Sequence, residues 1–156
     1  MKFLHSNVYA APIDRVRAML NDPAFREQVA TRTGALSCQA AYGGGKLVVR
    51  EEQAVAGVPS FAKRFVGEST QVVHTELWGD AGEATITIET PGKPTHIAGR
   101  ITLTEAGGAT THSYDLEVTA SVPLIGGKLE KLVADLTAAG LAAEGQVGAE
   151  WLASHP

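Results

Sequence analysis

The chain predicts an α+β fold in which successive antiparallel strands pack against one long C-terminal helix. Two observations carry that prediction. Beyond Pro123, apolar residues recur at Leu129, Leu132, Val133, Leu136, Ala139, Ala143, Val147 and Trp151, the three-and-four spacing of one helical face. Before Pro123, most of the chain alternates apolar and polar residues in runs separated by Gly- and Pro-rich turns, the period of half-buried strands. A helix over 124–153 would be roughly 45 Å long. One such helix closing a series of strands must lay its stripe on a sheet. If that sheet is curved, the space beneath the helix can hold a ligand.

The elements follow in order. Lys2 to Tyr9 is strand-like, with Phe3, Val8 and Tyr9. Pro12 suits the first position of a helix to Leu20, in which Ile13, Val16, Met19 and Leu20 share a face. Asp22 and Pro23 are a cap and a first-turn residue for a second helix to about Thr31. Phe25 and Val29 face inward there, and Gly34 supplies a left-handed end. Ala35–Tyr42 and Lys46–Ala54 form a hairpin around three glycines. Pro59–Phe65 reads as a short helix with Val58, Phe61, Ala62 and Phe65 on one side. Strands Glu68–Trp78, Glu83–Thr90, Thr95–Thr104 and Thr110–Val122, joined by short turns, imply an antiparallel meander. The whole chain, 1–156, is expected to form one domain.

Alternation assigns the faces. His112, Tyr114, Leu116, Val118, Ala120 and Val122 share the dry side of the last strand, and Asp115 and Glu117 the wet side. Ala84, Ile86 and Ile88 point inward, as do Ile97, Gly99, Ile101 and Leu103. In the strand ending at Trp78, the reading favours Val72, His74, Glu76 and Trp78 inward. The concave side thus carries a few polar groups, His112 and Tyr114 foremost, then His74 and Glu76, then His5 and Asn7. Buried polar groups need partners, and ligand sites combine apolar walls with a few placed polar groups. The hydrophobic fraction of 44% with 19% charged residues fits a soluble globular protein. A net charge of −4 without a basic cluster argues against nucleic-acid binding. The single cysteine, Cys38, excludes an internal disulfide and a cysteine-based zinc site. No apolar run is long enough to span a membrane, the N-terminus lacks a secretory h-region, and a cytoplasmic location is the expectation.

Several segments together resemble a known family. They are Ala11-Pro12 to Met19-Leu20, Asp22-Pro23-Ala24-Phe25, Thr33-Gly34-Ala35, Val58-Pro59-Ser60-Phe61-Ala62-Lys63, Phe65-Val66-Gly67, Thr75-Glu76-Leu77-Trp78-Gly79 and Pro91-Gly92-Lys93-Pro94. The most specific is Val122-Pro123-Leu124-Ile125-Gly126-Gly127-Lys128. The order of elements resembles the helix-grip fold of the START-like (SRPBCC) superfamily, which includes lipid-transfer domains, polyketide cyclases and the birch-pollen-allergen family. Within it the chain is most similar to a mainly actinobacterial family, domain of unknown function 2505. The resemblance implies a seven-stranded antiparallel sheet gripping the C-terminal helix, with a hydrophobic cavity between them. It implies no reaction, and no catalytic residue is carried over.

No phosphate loop, dinucleotide fingerprint or nucleophile elbow is present. A metal site from His74, Glu76 and His112 has no diagnostic spacing, and neither a metal nor a cofactor is expected. Three function classes remain. The first is a carrier for a hydrophobic small molecule of lipid, polyketide or isoprenoid type. Its cavity would be lined by Phe25, Phe61, Phe65, His74, Trp78, Ile86, Ile101, His112, Tyr114, Leu116, Leu132, Leu136, Ala139 and Ala143. Phe61 and Phe65 beside Lys63-Arg64 would form a mobile entrance, compatible with transient membrane contact. The second is a cyclase- or dehydratase-like enzyme with His74 or His112 as general base and Tyr114 orienting a carbonyl. The third is a protein-interaction module with a filled interior. Gly140, Gly145 and Gly148, with the alanines around them, either permit close packing of the helix or leave room beneath it.

Overall fold

A computed structural model describes residues 1–55 and 57–156. The chain runs β1 (Lys2–Tyr9), α1 (Ile13–Leu20), α2 (Pro23–Arg32), β2 (Ala35–Gly43), β3 (Lys46–Ala54), α3 (Ser60–Val66), β4 (Ser69–Trp78), β5 (Glu83–Glu89), β6 (Thr95–Ala106), β7 (Ala109–Ala120) and α4 (Gly126–Ser154). The seven strands form one antiparallel sheet in the order β1-β7-β6-β5-β4-β3-β2. The architecture is the expected helix-grip fold, a curved sheet with a long C-terminal helix.

Local chemistry explains the boundaries. Pro12 stands just before α1, not within it, because its carbonyl accepts from the Arg15 and Val16 amides at 3.1 Å. Asp22 caps α2 by accepting from the Ala24 amide at 2.9 Å, with Pro23 as the first helical residue. In the β2–β3 hairpin Gly43 pairs with Lys46, which leaves a two-residue loop of Gly44 and Gly45 at φ 58° and 77°. Both positive values fit a type I′ turn, which matches the twist of the strands it joins. Gly99 lies in β6 opposite Leu116. A Cβ there would overlap the Asp115 carbonyl oxygen, so only glycine allows the backbone of β7 to approach so closely.

Helix α4 starts two residues later than the sequence suggested, after Leu124 and Ile125. Leu124 is fully exposed and holds φ 70°, in the left-handed region. The helix rests on β1, β7 and α2. Its buried residues are Leu129, Ala134, Leu141, Glu144, Val147, Gly148 and Trp151. Leu136 and Ala139, expected in that stripe, are instead exposed, Leu136 at 59%. The helix is turned so that Leu141, Glu144 and Gly148 face the sheet. Glycine permits that seating: a Cβ at Gly145 would lie 2.6 Å from Asn7 Oδ1, and one at Gly148 would overlap the Tyr9 ring. At these two positions, close packing is the outcome. At Gly140 nothing lies within 4 Å.

Candidate functional site

Period-two geometry places His74, Glu76 and Trp78 side by side on the concave face of β4, and His112 and Tyr114 on that of β7. Glu76 and Tyr114 are wholly buried, as is His112, while the His74 side chain keeps 16% exposure. Two further residues close this group from the helices. Arg26 of α2 donates through Nη2 to Glu76 Oε1 at 3.3 Å, through Nη1 to Glu144 Oε2 at 3.2 Å, and through Nε to the Leu20 carbonyl at 2.6 Å. Glu144 of α4 accepts the Tyr114 hydroxyl at 2.7 Å on its other oxygen. Glu76 also accepts from the Trp78 indole at 2.9 Å and pairs with His74 Nε2 at 2.7 Å.

The core of the molecule is therefore ionic at its centre. Burial by itself would raise the Glu76 carboxyl, but the Arg26 guanidinium, with help from His74, outweighs it and holds Glu76 at about 2. Burial likewise opposes the charge on Arg26, and Glu76 and Glu144 overcome it, so the guanidinium is held more firmly protonated than usual. Burial and then Glu144 push the Tyr114 phenol well above its ordinary value, and Tyr9 moves the same way. Burial lowers His112 against the pull of Glu144 and Glu76, which favours the neutral ring. His112 Nδ1 lies 3.4 Å from Glu144 Oε1, within ion-pair reach, yet neither ring nitrogen makes a hydrogen bond among the described residues. The Tyr9 hydroxyl is likewise buried, with the Asn7 side chain beside it.

His74, Trp78, His112 and Tyr114 thus meet in one network. Phe25 packs edge-on against Trp151 at 5.7 Å, and Ile86, Ile101 and Leu116 are fully buried core. Phe61 and Phe65 are half-buried on α3, with the Arg64 guanidinium 4.7 Å from the Phe65 ring centre. Leu132 and Ala143 are half-buried on α4, whereas Leu136 and Ala139 face away from the buried stripe. Arg26 and Glu144 escaped the sequence reading. Their signals were there: Glu144 is in phase with Leu141, Val147, Gly148 and Trp151, and Arg26 adjoins Phe25 on a helix otherwise read only for its apolar positions.

Two surface hollows lie elsewhere. One of about 440 Å³ is lined by Val55, Gly57, Val58, Lys63, Gly67 and Glu68. The other, about 710 Å³, lies between α2 and Val147 of α4. Among the described residues no three His, Cys, Asp or Glu side chains are placed to hold a metal ion, and no helix is long and apolar enough to cross a membrane.

The architecture is similar to that of TTHA0849 from Thermus thermophilus, at 19% identity over 99% of both chains with a TM-score of 0.71. Norcoclaurine synthase from Thalictrum flavum, solved in complex with dopamine and hydroxybenzaldehyde, aligns at 13% identity over 100% of this chain and 88% of its own, with a TM-score of 0.67. The di-domain ARO/CYC StfQ of the steffimycin biosynthetic pathway aligns at 10% identity over 98% of this chain, with a TM-score of 0.69. The chain spans about half of that protein, 52%. Identities this low show a shared fold alone. No curated protein matches the chain. The family model described as "Protein of unknown function (DUF2505)" matches residues 4–152, and the chain belongs to that family.

Proposed function

We propose that this protein binds a hydrophobic small molecule, of lipid, polyketide or isoprenoid type, on the concave face of its sheet, with one polar group of the ligand turned to His74. The observation that carries this reading is the unequal burial of the network. Glu76, His112, Tyr114 and Glu144 are sealed, whereas His74 is partly open. Its cross-strand neighbours are Val49 and Ile88. A polar group set among apolar walls is what orients a ligand in a small-molecule site. Half-buried Phe61, Phe65 and Leu132 supply further apolar surface. The overall fold, shared with a cyclase and a synthase, is compatible with such a ligand.

Native mass spectrometry after exposure to a total lipid extract tests the reading. A discrete adduct that disappears on denaturation is the expected result, and its mass identifies the ligand. A clean unliganded mass after exposure counts against it. A second reading, a protein-interaction module, draws support from the dry interior around His112, Tyr114 and Glu144. One stoichiometric protein partner in a pull-down, with no small-molecule adduct, would favour that module.

A further inference from the structure

We propose that His74 is a general base that removes a proton from the carbon beside the carbonyl group of a neutral, apolar ketone bound on the concave face. The proposal rests on the binding reading above and adds a reaction to it.

The geometry selects His74 from the inward-facing candidates. His112 makes no hydrogen bond through either ring nitrogen among the described residues, but it has no exposure. The Tyr114 hydroxyl is committed to Glu144, and His5 Nε2 sits 3.0 Å from Asn7 Oδ1. His74 alone of this group joins partial exposure to a buried carboxylate behind it. That carboxylate fixes the tautomer. An ionised Glu76 can only accept, so the 2.7 Å contact requires the proton on His74 Nε2. The lone pair of the neutral ring is then on Nδ1, which has no hydrogen-bond partner among the described residues. A carboxylate that orients an imidazole also stabilises the imidazolium formed when it takes a proton. Glu76 is itself fixed by Arg26 and Trp78, so Glu76 and Arg26 are positioning residues in this scheme.

Charge and polarity define the substrate class. Arg26 brings one positive charge to the network and Glu76 and Glu144 bring two formal negative charges. An anionic ligand is repelled from that centre, which favours a neutral polar group over a carboxylate. Val49 and Ile88 beside His74 ask for an apolar body. The step needs no co-reactant. Nδ1 forms an N–H bond to the departing α-proton, the C–H electron pair becomes the C=C bond of the enolate, and the carbonyl π pair moves to oxygen. The imidazolium then returns its proton to carbon or to oxygen. The net result is hydrogen exchange or isomerisation.

The test uses 2-tetralone, an apolar aromatic ketone with an acidic methylene. Its proton NMR signal is followed in buffered deuterium oxide with the wild-type chain, His74→Gln and His74→Ala, and its affinity is measured in parallel by chemical-shift titration. Wild type should accelerate the loss of the methylene signal by about 100-fold or more over buffer, the usual reach of a positioned base. His74→Gln, which can still donate to Glu76, should keep saturable binding of 2-tetralone and exchange at the buffer rate even at saturation. Free imidazole should restore exchange in His74→Ala. Binding without acceleration in wild type, or equal rates in wild type and His74→Gln, overturns the base and leaves the binding reading standing. Absence of saturable binding to wild type overturns both for this class of ligand.

Discussion

Arg26 holds two carboxylates from different elements, Glu76 of β4 and Glu144 of α4, in a space closed to water. Removing one member of a buried ionic group strands the others, at a cost of about 3–5 kcal/mol. Arg26→Met should therefore lower the unfolding free energy by about that amount, read from urea denaturation. Its loss should exceed that of Arg32→Met, since Arg32 pairs with Glu150 at 2.6 Å on the surface and exposed pairs contribute about 0–1 kcal/mol. Two residues govern the acid response. The Glu76 carboxyl sits at about 2 in the folded chain against an ordinary 4.5, so the unfolded chain binds its proton first as pH falls. Its stabilisation is complete above about pH 4.5 and is lost on the way to pH 2. His112 is lowered from 6.5, so its contribution is complete above that pH and declines as pH drops through the folded value. The urea midpoint should thus begin to fall below about pH 6.5 and fall further below about 4.5. His112→Gln should flatten the upper part of that curve.

Among the elements, α4 shows where a helical glycine is required and where it is not. Gly148 lies against the Tyr9 ring, whereas Gly140 has nothing within 4 Å. Gly140→Ala should stabilise the chain by up to about 1 kcal/mol through helix propensity. Gly148→Ala should destabilise it by about 1–3 kcal/mol, because overpacking outweighs the same propensity gain. Thermal unfolding of the two variants checks both signs. The same helix marks how far the sequence could be read. All seven strands were legible, and the faces were clearest in β5 and β7, where one wet face preserves the alternation in Ala84–Ile88 and His112–Val118. The face of α4 was read less well, since a stripe chosen for apolar residues admitted Leu136 and Ala139 and passed over Glu144. Burial of a charge depends on a partner far along the chain, here Arg26, 118 residues away. Hydropathy in a local window cannot register that pairing. His74, Trp78, His112 and Tyr114 were found because strand period reports direction whatever the polarity of the side chain.

At the scale of the whole molecule, one helix rests on one end of the sheet, where the first and last strands lie side by side. Helix α4 lies on β1 and β7, which bring together the start of the chain and its last strand, and it touches α2 at the far end. His74 of β4 is three strands away from β7. A ligand seated near His74 would therefore join parts of the molecule that the helix does not itself tie down. Binding to the folded chain alone adds stability by mass action. A true ligand at about a hundred times its dissociation constant should raise the unfolding free energy by about 2.7 kcal/mol. A thermal-shift series over ligand concentration reads this directly, and a flat series for a compound marks it as no ligand.

The seating of Glu144 and Gly148 also limits how the helix can move. From Leu141 to Trp151, α4 is fixed by the Glu144 contacts to Arg26 and Tyr114 and by its close approach to Tyr9. Sliding or rotating by one residue would break all of these together. Its first half has only Leu129 and Ala134 buried. The helix is thus held more tightly by its C-terminal half than by its N-terminal half, where Glu130 meets the Met1 amino group at 3.2 Å near the surface. Amide hydrogen exchange should be slower over 141–151 than over 130–140, and entry to the concave face should pass beneath the faster-exchanging half.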